Sequence, residues 1–101
     1  MKLRFTPAAR VQFKNAVLYI HKDKPAAAKR FRDRAESVLR RLAEFPDSGR
    51  RLPEFPDLPY REVMVSPYRF FYRPEEDMTW IVAVWHSAQL PTKPTNHPKN
   101  P

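Results

Sequence analysis

Apolar and polar positions alternate along residues 60–89 in a pattern that predicts three consecutive β-strands. Ser66-Pro67 is a turn signal between the first strand and the second. The second strand, residues 68–73, is dense in aromatic side chains, which favour a pleated and half-buried surface. The third, residues 79–86, is a near-continuous apolar run. The connections are too short for a helix, so the pattern predicts an antiparallel meander.

Side chains alternate between the two faces of a strand, so the second strand carries two different sets. One face is expected to carry Tyr68, Phe70 and Tyr72, and the other Arg69, Phe71 and Arg73. Trp80 and Trp85 have opposite parity in the third strand. One tryptophan is therefore expected to pack under the helices, and the other to be half-exposed or covered by the proline-rich loop.

The N-terminal half is periodic in a different way and predicts a strand and two helices. Residues 2–5 alternate as a short strand, and Thr6-Pro7 combines a helix N-cap with proline at the first helical position. A first amphipathic helix is expected from Pro7 to about His21, and a second one begins near Pro25. The second helix has an apolar seam at steps of three and four residues: Ala28, Phe31, Ala35, Val38, Leu42 and Phe45.

The element order predicts an α+β fold with the order β-α-α-β-β-β. A four-residue link joins the helices into an antiparallel hairpin, which is expected to cover one face of the sheet while the other stays at least partly open. Residues 46–59 hold four prolines and the only glycine, and predict an ordered loop. We predict one domain over residues 1–90 and an irregular proline-rich tail over residues 91–101.

The composition of the chain excludes several classes of functional site. The chain has no cysteine and its three histidines are far apart, so no metal site is predicted. A single glycine does not build a phosphate-binding loop. No cofactor site and no serine triad are predicted either. The formal net charge is +8, and residues 1–45 alone carry twelve basic and four acidic side chains, which is also +8. Such a surface favours an acidic partner or a nucleic-acid backbone. No apolar run has the length of a membrane span, and a cytoplasmic protein is expected.

One group of side chains on the meander has chemistry of its own. Arginine binds phosphate through a planar fork of donors, while tyrosine and histidine move protons, so together they would support metal-independent RNA cleavage. The catalytic candidates are Arg61, Arg69, Arg73, Tyr72 and His86. The alternative is structural: aromatic rings that pack in the core, and arginines whose stems cover apolar surface.

The chain resembles the RelE/ParE superfamily of toxins from type II toxin–antitoxin systems, which includes the plasmid stabilisation proteins. The resemblance covers about residues 2–90 and depends on the order of four motifs. They are Leu3-Arg4-Phe5-Thr6-Pro7-Ala8-Ala9, Phe45-Pro46 with Gly49-Arg50-Arg51, Pro67-Tyr68-Arg69-Phe70-Phe71-Tyr72-Arg73, and Val82-Ala83-Val84-Trp85-His86 followed by Ser87-Ala88-Gln89.

The resemblance implies a cytoplasmic toxin that a cognate antitoxin, ParD-like or RelB-like, neutralises with an acidic C-terminal segment in a hetero-oligomer. Its target is then DNA gyrase, as for ParE, or messenger RNA on the ribosome, as for RelE. The chain has no lysine between Lys29 and Lys93, and Gln89 stands where many relatives have arginine. These departures favour the ParE-like interpretation over the ribonuclease. A nucleic-acid-binding module without toxicity is the third hypothesis.

Antitoxin or target binding is expected to involve the helical hairpin and the basic pair after the second helix. The binding candidates are Phe13, Lys14, Val17, Arg30, Arg34, Arg41, Arg50 and Arg51.

Overall fold

The computed structural model describes residues 2–88 and confirms the predicted α+β architecture, with one additional short strand. Its elements are β1 (Leu3–Phe5), α1 (Pro7–Asp23), α2 (Pro25–Glu44), β2 (Arg50–Arg51), β3 (Arg61–Val65), β4 (Tyr68–Pro74) and β5 (Thr79–His86). The strands form one sheet in the order β1-β5-β4-β3-β2, in which β1 is parallel to β5 and the other pairs are antiparallel. The proline-rich tail that we predict over residues 91–101 lies outside the described residues.

Local signals place the helix boundaries. The Thr6 hydroxyl accepts a hydrogen bond from the Ala9 amide at 3.2 Å, so Thr6 is the N-cap of α1 and Pro7 its first residue. Helix α1 continues to Asp23, and only Lys24 separates it from α2, so the link is shorter than the four residues expected. In α2 the predicted seam is buried at four positions, whereas Phe45 after the helix end is 54% exposed.

The helices cover one face of the sheet, with α1 against β5 and α2 against β3. Small buried residues of both helices, Ala16 and Ala35 among them, allow the two helices to approach closely. Beneath them the Phe13 ring contacts Phe31 and Phe70, with centroids 6.0 and 5.7 Å apart. An aromatic layer therefore joins the helical hairpin to the middle of the sheet.

The opposite face of the sheet is less open than the sequence pattern indicates. Leu52 and Phe55, from the segment between the second helix and the meander, pack there against Phe71 and Trp85. Leu52, Phe71 and Trp85 are buried, with exposed fractions of 1%, 1% and 8%. The proline-rich segment folds back over this cluster and removes its apolar surface from water, so the second face is open only in part, as at Met64, which is 55% exposed.

A β-bulge changes the faces of β5. Phe71 lies opposite Ala83 and Tyr72 opposite Ile81, so Val82 is an additional residue in β5. The bulge reverses the parity of the strand, and Trp80 faces the same side as Trp85. The prediction that one tryptophan packs under the helices is therefore wrong.

Candidate functional site

The most concentrated charges in the structure lie on the second face of the sheet, around Glu62 and Arg69. Both side chains are buried, with exposed fractions of 5% and 9%. Arg69 Nε donates to Glu62 Oε1 at 2.7 Å, and Arg50 Nε donates to the other carboxylate oxygen at 2.5 Å. Glu54 lies 3.4 Å from the outer guanidinium nitrogen of Arg69. We refer to Arg50, Glu54, Glu62 and Arg69 as the ionic cluster.

The ionic cluster is neutral, with two arginines and two glutamates, and its central charges are satisfied within the chain. The Arg69 guanidinium also lies 5.0 Å from the centroid of the Phe71 ring, so its flat face is covered as well. A guanidinium that binds phosphate needs free donors at the surface. The donors of Arg69 are directed at carboxylates of the same molecule instead.

Sequence reasoning missed both glutamates of this cluster. A signal for Glu62 was present: with a turn at Ser66-Pro67, Val65 lies opposite Tyr68, and strand alternation then places Glu62 on the face of Arg69. For Glu54 there was no local signal, since its position depends on the path of the proline-rich segment.

Tyr72 and Arg61 are brought together on the helix-covered face, around Gly49. The Tyr72 hydroxyl donates to the Pro46 carbonyl at 2.7 Å and accepts from the Gly49 amide at 2.9 Å, and the ring is completely buried. Burial raises the pKa of Tyr72, although the Gly49 hydrogen bond and the charge of Arg61 oppose that shift. Arg61 donates to the Gly49 carbonyl at 2.8 Å. Both side chains therefore fasten the segment that follows α2.

Gly49 owes its place to this close approach. A Cβ atom there would overlap the Tyr72 hydroxyl and lie 2.7 Å from the Glu62 carbonyl oxygen. Only glycine leaves the backbone free to reach the Tyr72 side chain.

The two remaining catalytic candidates are separate from both groups. Arg73 pairs with Glu75 at 2.5 Å and lies 5.9 Å from the Tyr60 ring, at one end of the second face. His86, at the C-terminal end of β5, stacks edge-on against Tyr68, and its Nδ1 accepts a hydrogen bond from the Ala88 amide at 3.0 Å. The five candidates thus occupy four places on two faces, and only Arg61 and Tyr72 meet.

Among residues 2–88, no three histidine or acidic side chains are grouped as a metal ion would require. Within the same range, neither helix has the length and apolar character needed to cross a bilayer.

The binding candidates divide between the core and the surface. Phe13 and Val17 are half-buried and pack against the main core. The other six candidates are exposed: Lys14, Arg30, Arg34, Arg41, Arg50 and Arg51. Arg34 also donates to the Ser66 carbonyl at 2.6 Å and so ties α2 to the β3–β4 turn. Four of the exposed candidates lie on the helical hairpin and make its surface basic, whereas Arg50 and Arg51 lie in β2.

A groove of about 530 Å³ runs between α2 and β1. Its apolar lining includes Leu3, Phe5, Phe13 and Leu39, and its charged lining consists of Arg32, Asp33, Glu36 and Arg40. Because β1 is an edge strand of the sheet that residues 2–88 form, one side of this groove also offers backbone groups that no strand of this range pairs with. We refer to this feature as the β1 groove.

Comparison with known proteins gives a matching family model and solved structures of similar fold. No curated protein matches the chain. A solved structure described as the chromosomal ParDE TA system from P. aeruginosa has a chain that is 16% identical, with a TM-score of 0.69 over 85% of this chain and 95% of that one. This likeness supports the fold. Residues 3–91 match the model of the ParE toxin of the type II toxin–antitoxin system parDE. The chain therefore belongs to the ParE toxin family.

Proposed function

We propose that this ParE-family toxin arrests growth by inhibiting DNA gyrase, and that a cognate antitoxin neutralises it. The ionic cluster is the observation that supports gyrase over messenger RNA as the target. An RNA-cleaving site needs convergent basic and proton-transferring groups around one phosphate. Here Arg69 is neutralised by Glu62 and Glu54, and Tyr72 lies on the opposite face of the sheet. This arrangement favours an inhibitor that acts by binding over a ribonuclease.

Purified gyrase provides the direct test. The full-length toxin is added to a supercoiling reaction with relaxed plasmid, and topoisomers are separated on a gel. We expect supercoiling to fall with toxin concentration, or cleaved plasmid to accumulate. In cells that express the toxin from an inducible promoter, pulse labelling should show that DNA synthesis stops before protein synthesis. Active gyrase at excess toxin, together with early loss of protein synthesis, would contradict the proposal.

The ribonuclease alternative makes a different prediction about the same residues. If the toxin cleaves messenger RNA, replacing Arg61, Arg69 or His86 should remove toxicity while the fold and antitoxin binding remain. If it acts by binding, Arg61→Ala and His86→Ala should remain toxic wherever the protein stays folded. Toxicity, thermal unfolding and antitoxin pull-down on one set of variants separate the two.

The proposed antitoxin interface is the β1 groove together with the basic side chains of α2 beside it. The groove offers an apolar lining and an open strand edge, which suit an extended or helical peptide. The surrounding surface is basic, since residues 1–45 carry a net charge of +8. An antitoxin segment of the proposed kind is therefore acidic and amphipathic, and the complex is a cytoplasmic hetero-oligomer.

Co-expression tests the antitoxin proposal. The toxin is produced with the product of a short adjoining gene, and the pair is purified by a tag on one partner. We expect a complex that restores growth and whose dissociation constant rises with salt, because charge pairing contributes to binding. Leu39→Glu, in the half-buried wall of the groove, should weaken the complex, with Phe45→Glu as the matched control outside the groove. Equal affinity of both variants would place the interface elsewhere.

A further inference from the structure

Helix α1 presents a second apolar surface on the side that faces away from the sheet. Val11, Leu18 and Tyr19 are exposed to 57%, 54% and 68%, although the buried residues of α1 are Ala9 and Ala16. Seven residues are two turns of a helix, so Val11 and Leu18 lie about 10 Å apart on nearly the same line. Tyr19 flanks this line. We refer to Val11, Leu18 and Tyr19 as the outer stripe.

The surroundings of the outer stripe are basic. Arg10, Lys14 and Lys22 are exposed on α1 beside it, whereas the one carboxylate of the helix is Asp23 at its C-terminal end. Beside Tyr19 there is also a depression of about 510 Å³ between α1 and the start of α2. Its lining consists of Tyr19, Ile20, Lys22, Asp23, Lys24 and Ala27. The surface therefore combines apolar side chains, a cavity and positive charge.

We infer that the outer stripe is the surface by which the toxin binds its target protein, through an acidic surface with an apolar centre; this rests on the proposed function. Charge complementarity argues against a second copy of this chain, since two basic helices would face each other. Shape separates the target from the antitoxin. The β1 groove is concave and suits a peptide segment, whereas the outer stripe is a convex helix ridge that suits a depression in a folded protein.

A pair of matched substitutions tests the inference. Leu18→Glu places a carboxylate in the outer stripe, and Phe45→Glu makes the same change in charge at a position of equal exposure, 54%, beyond the end of α2. Both residues are exposed, so both variants should unfold at the temperature of the wild type. Binding of each full-length variant to purified DNA gyrase is measured at two salt concentrations, and supercoiling is measured in parallel.

We expect Leu18→Glu to weaken gyrase binding at least about tenfold, as for the central residues of protein interfaces, while Phe45→Glu stays within about twofold. Both variants should bind the antitoxin like the wild type. If the wild type inhibits gyrase and Leu18→Glu inhibits it equally, the proposed function stands and the inference is wrong. Loss of antitoxin binding alone in Leu18→Glu would also overturn it, by assigning the stripe to the antitoxin. If the wild-type toxin has no effect on gyrase, the proposed function is refuted, and so is the assignment of gyrase as the partner of the outer stripe.

Discussion

The ionic cluster and the outer stripe of α1 are opposite cases of how side-chain chemistry relates to function. The ionic cluster contains Arg69, the kind of residue that phosphate chemistry would use, yet the charges of Arg69 and Glu62 are buried and paired inside the chain. The outer stripe consists of ordinary apolar side chains, yet Leu18 and Tyr19 remain more than half exposed. Side-chain chemistry alone would indicate the ionic cluster as the functional site. Exposed apolar surface indicates the outer stripe instead.

The difference follows from how much each region contributes to the free energy of folding. A buried guanidinium and carboxylate compensate each other's desolvation, so the ionic cluster needs no ligand to be stable. The apolar groups of the outer stripe gain much less from folding, because more than half of their surface is still in contact with water. The comparison therefore predicts that the ionic cluster contributes to stability and the outer stripe to binding.

Of the two regions compared, the ionic cluster is expected to show the larger loss of stability when one of its central charges is removed. Arg69→Ala leaves the buried Glu62 with Arg50 as its remaining partner, and the free energy of unfolding should fall by about 3 kcal/mol. Urea denaturation measures the loss. Arg51→Ala, an exposed arginine on the edge strand β2, is the control and should change little. An Arg69→Ala protein of wild-type stability that is no longer toxic would instead indicate a catalytic arginine.

Removing both central charges should be far milder than removing one. In Arg69→Met/Glu62→Leu, apolar side chains of similar volume fill the same space, and buried ion pairs replaced in this way are often neutral for stability. We expect the double variant to unfold within about 1 kcal/mol of the wild type. A double-mutant cycle with both single variants gives the coupling energy. Additive losses would mean that Arg69 and Glu62 do not stabilise each other.

Tyr72→Phe should lower the free energy of unfolding by an intermediate amount. The hydroxyl joins the Pro46 carbonyl and the Gly49 amide, and its removal leaves both without that partner, which costs about 1–3 kcal/mol. Tyr19→Phe, at an exposed ring of the outer stripe, is the matched control for stability. If both changes have the same effect on the urea midpoint, the hydroxyl of Tyr72 does not hold the segment after α2.

The pH dependence of stability should also depend on the ionisation of Tyr72. Burial raises the pKa of Tyr72 and of Tyr68 above the ordinary tyrosine value of about 10, so folding favours the neutral phenols. Their contribution is complete below pH 10 and is lost as the pH rises through the raised pKa values of the folded state. Urea midpoints should therefore fall above about pH 10, and the fall should be smaller in Tyr72→Phe. An unchanged slope in that variant would contradict the assignment.

The smallest effect on stability is expected in the outer stripe. Leu18→Ala removes apolar atoms that are already in contact with water, so the free energy of unfolding should change by less than about 0.5 kcal/mol. Phe31→Ala in the buried seam of α2 should cost about 3–5 kcal/mol. A large loss in Leu18→Ala would mean that the stripe packs within the chain, and the comparison would fail.

Short-range patterns were sufficient for most of the architecture. Thr6-Pro7 marks the start of α1 because a cap and its first turn involve adjacent residues. The seam through Phe31 and Leu42 marks α2 because helical faces repeat every three to four residues. Strand alternation separates Tyr72 from Arg69 in the same way. These motifs, in their order, were also sufficient for the resemblance to the toxin superfamily.

The tertiary structure decided what depends on residues far apart in the chain. The bulge at Val82 places Trp80 and Trp85 on one face, which alternation alone does not reveal. Glu54 reaches Arg69 across fifteen positions, because the proline-rich segment folds over the second face. The sequence by itself determined the two helices, the four longer strands, the charge and the resemblance to the toxin superfamily. Which arginines are neutralised and which apolar side chains stay exposed was decided by packing, because burial depends on every element that shares a surface.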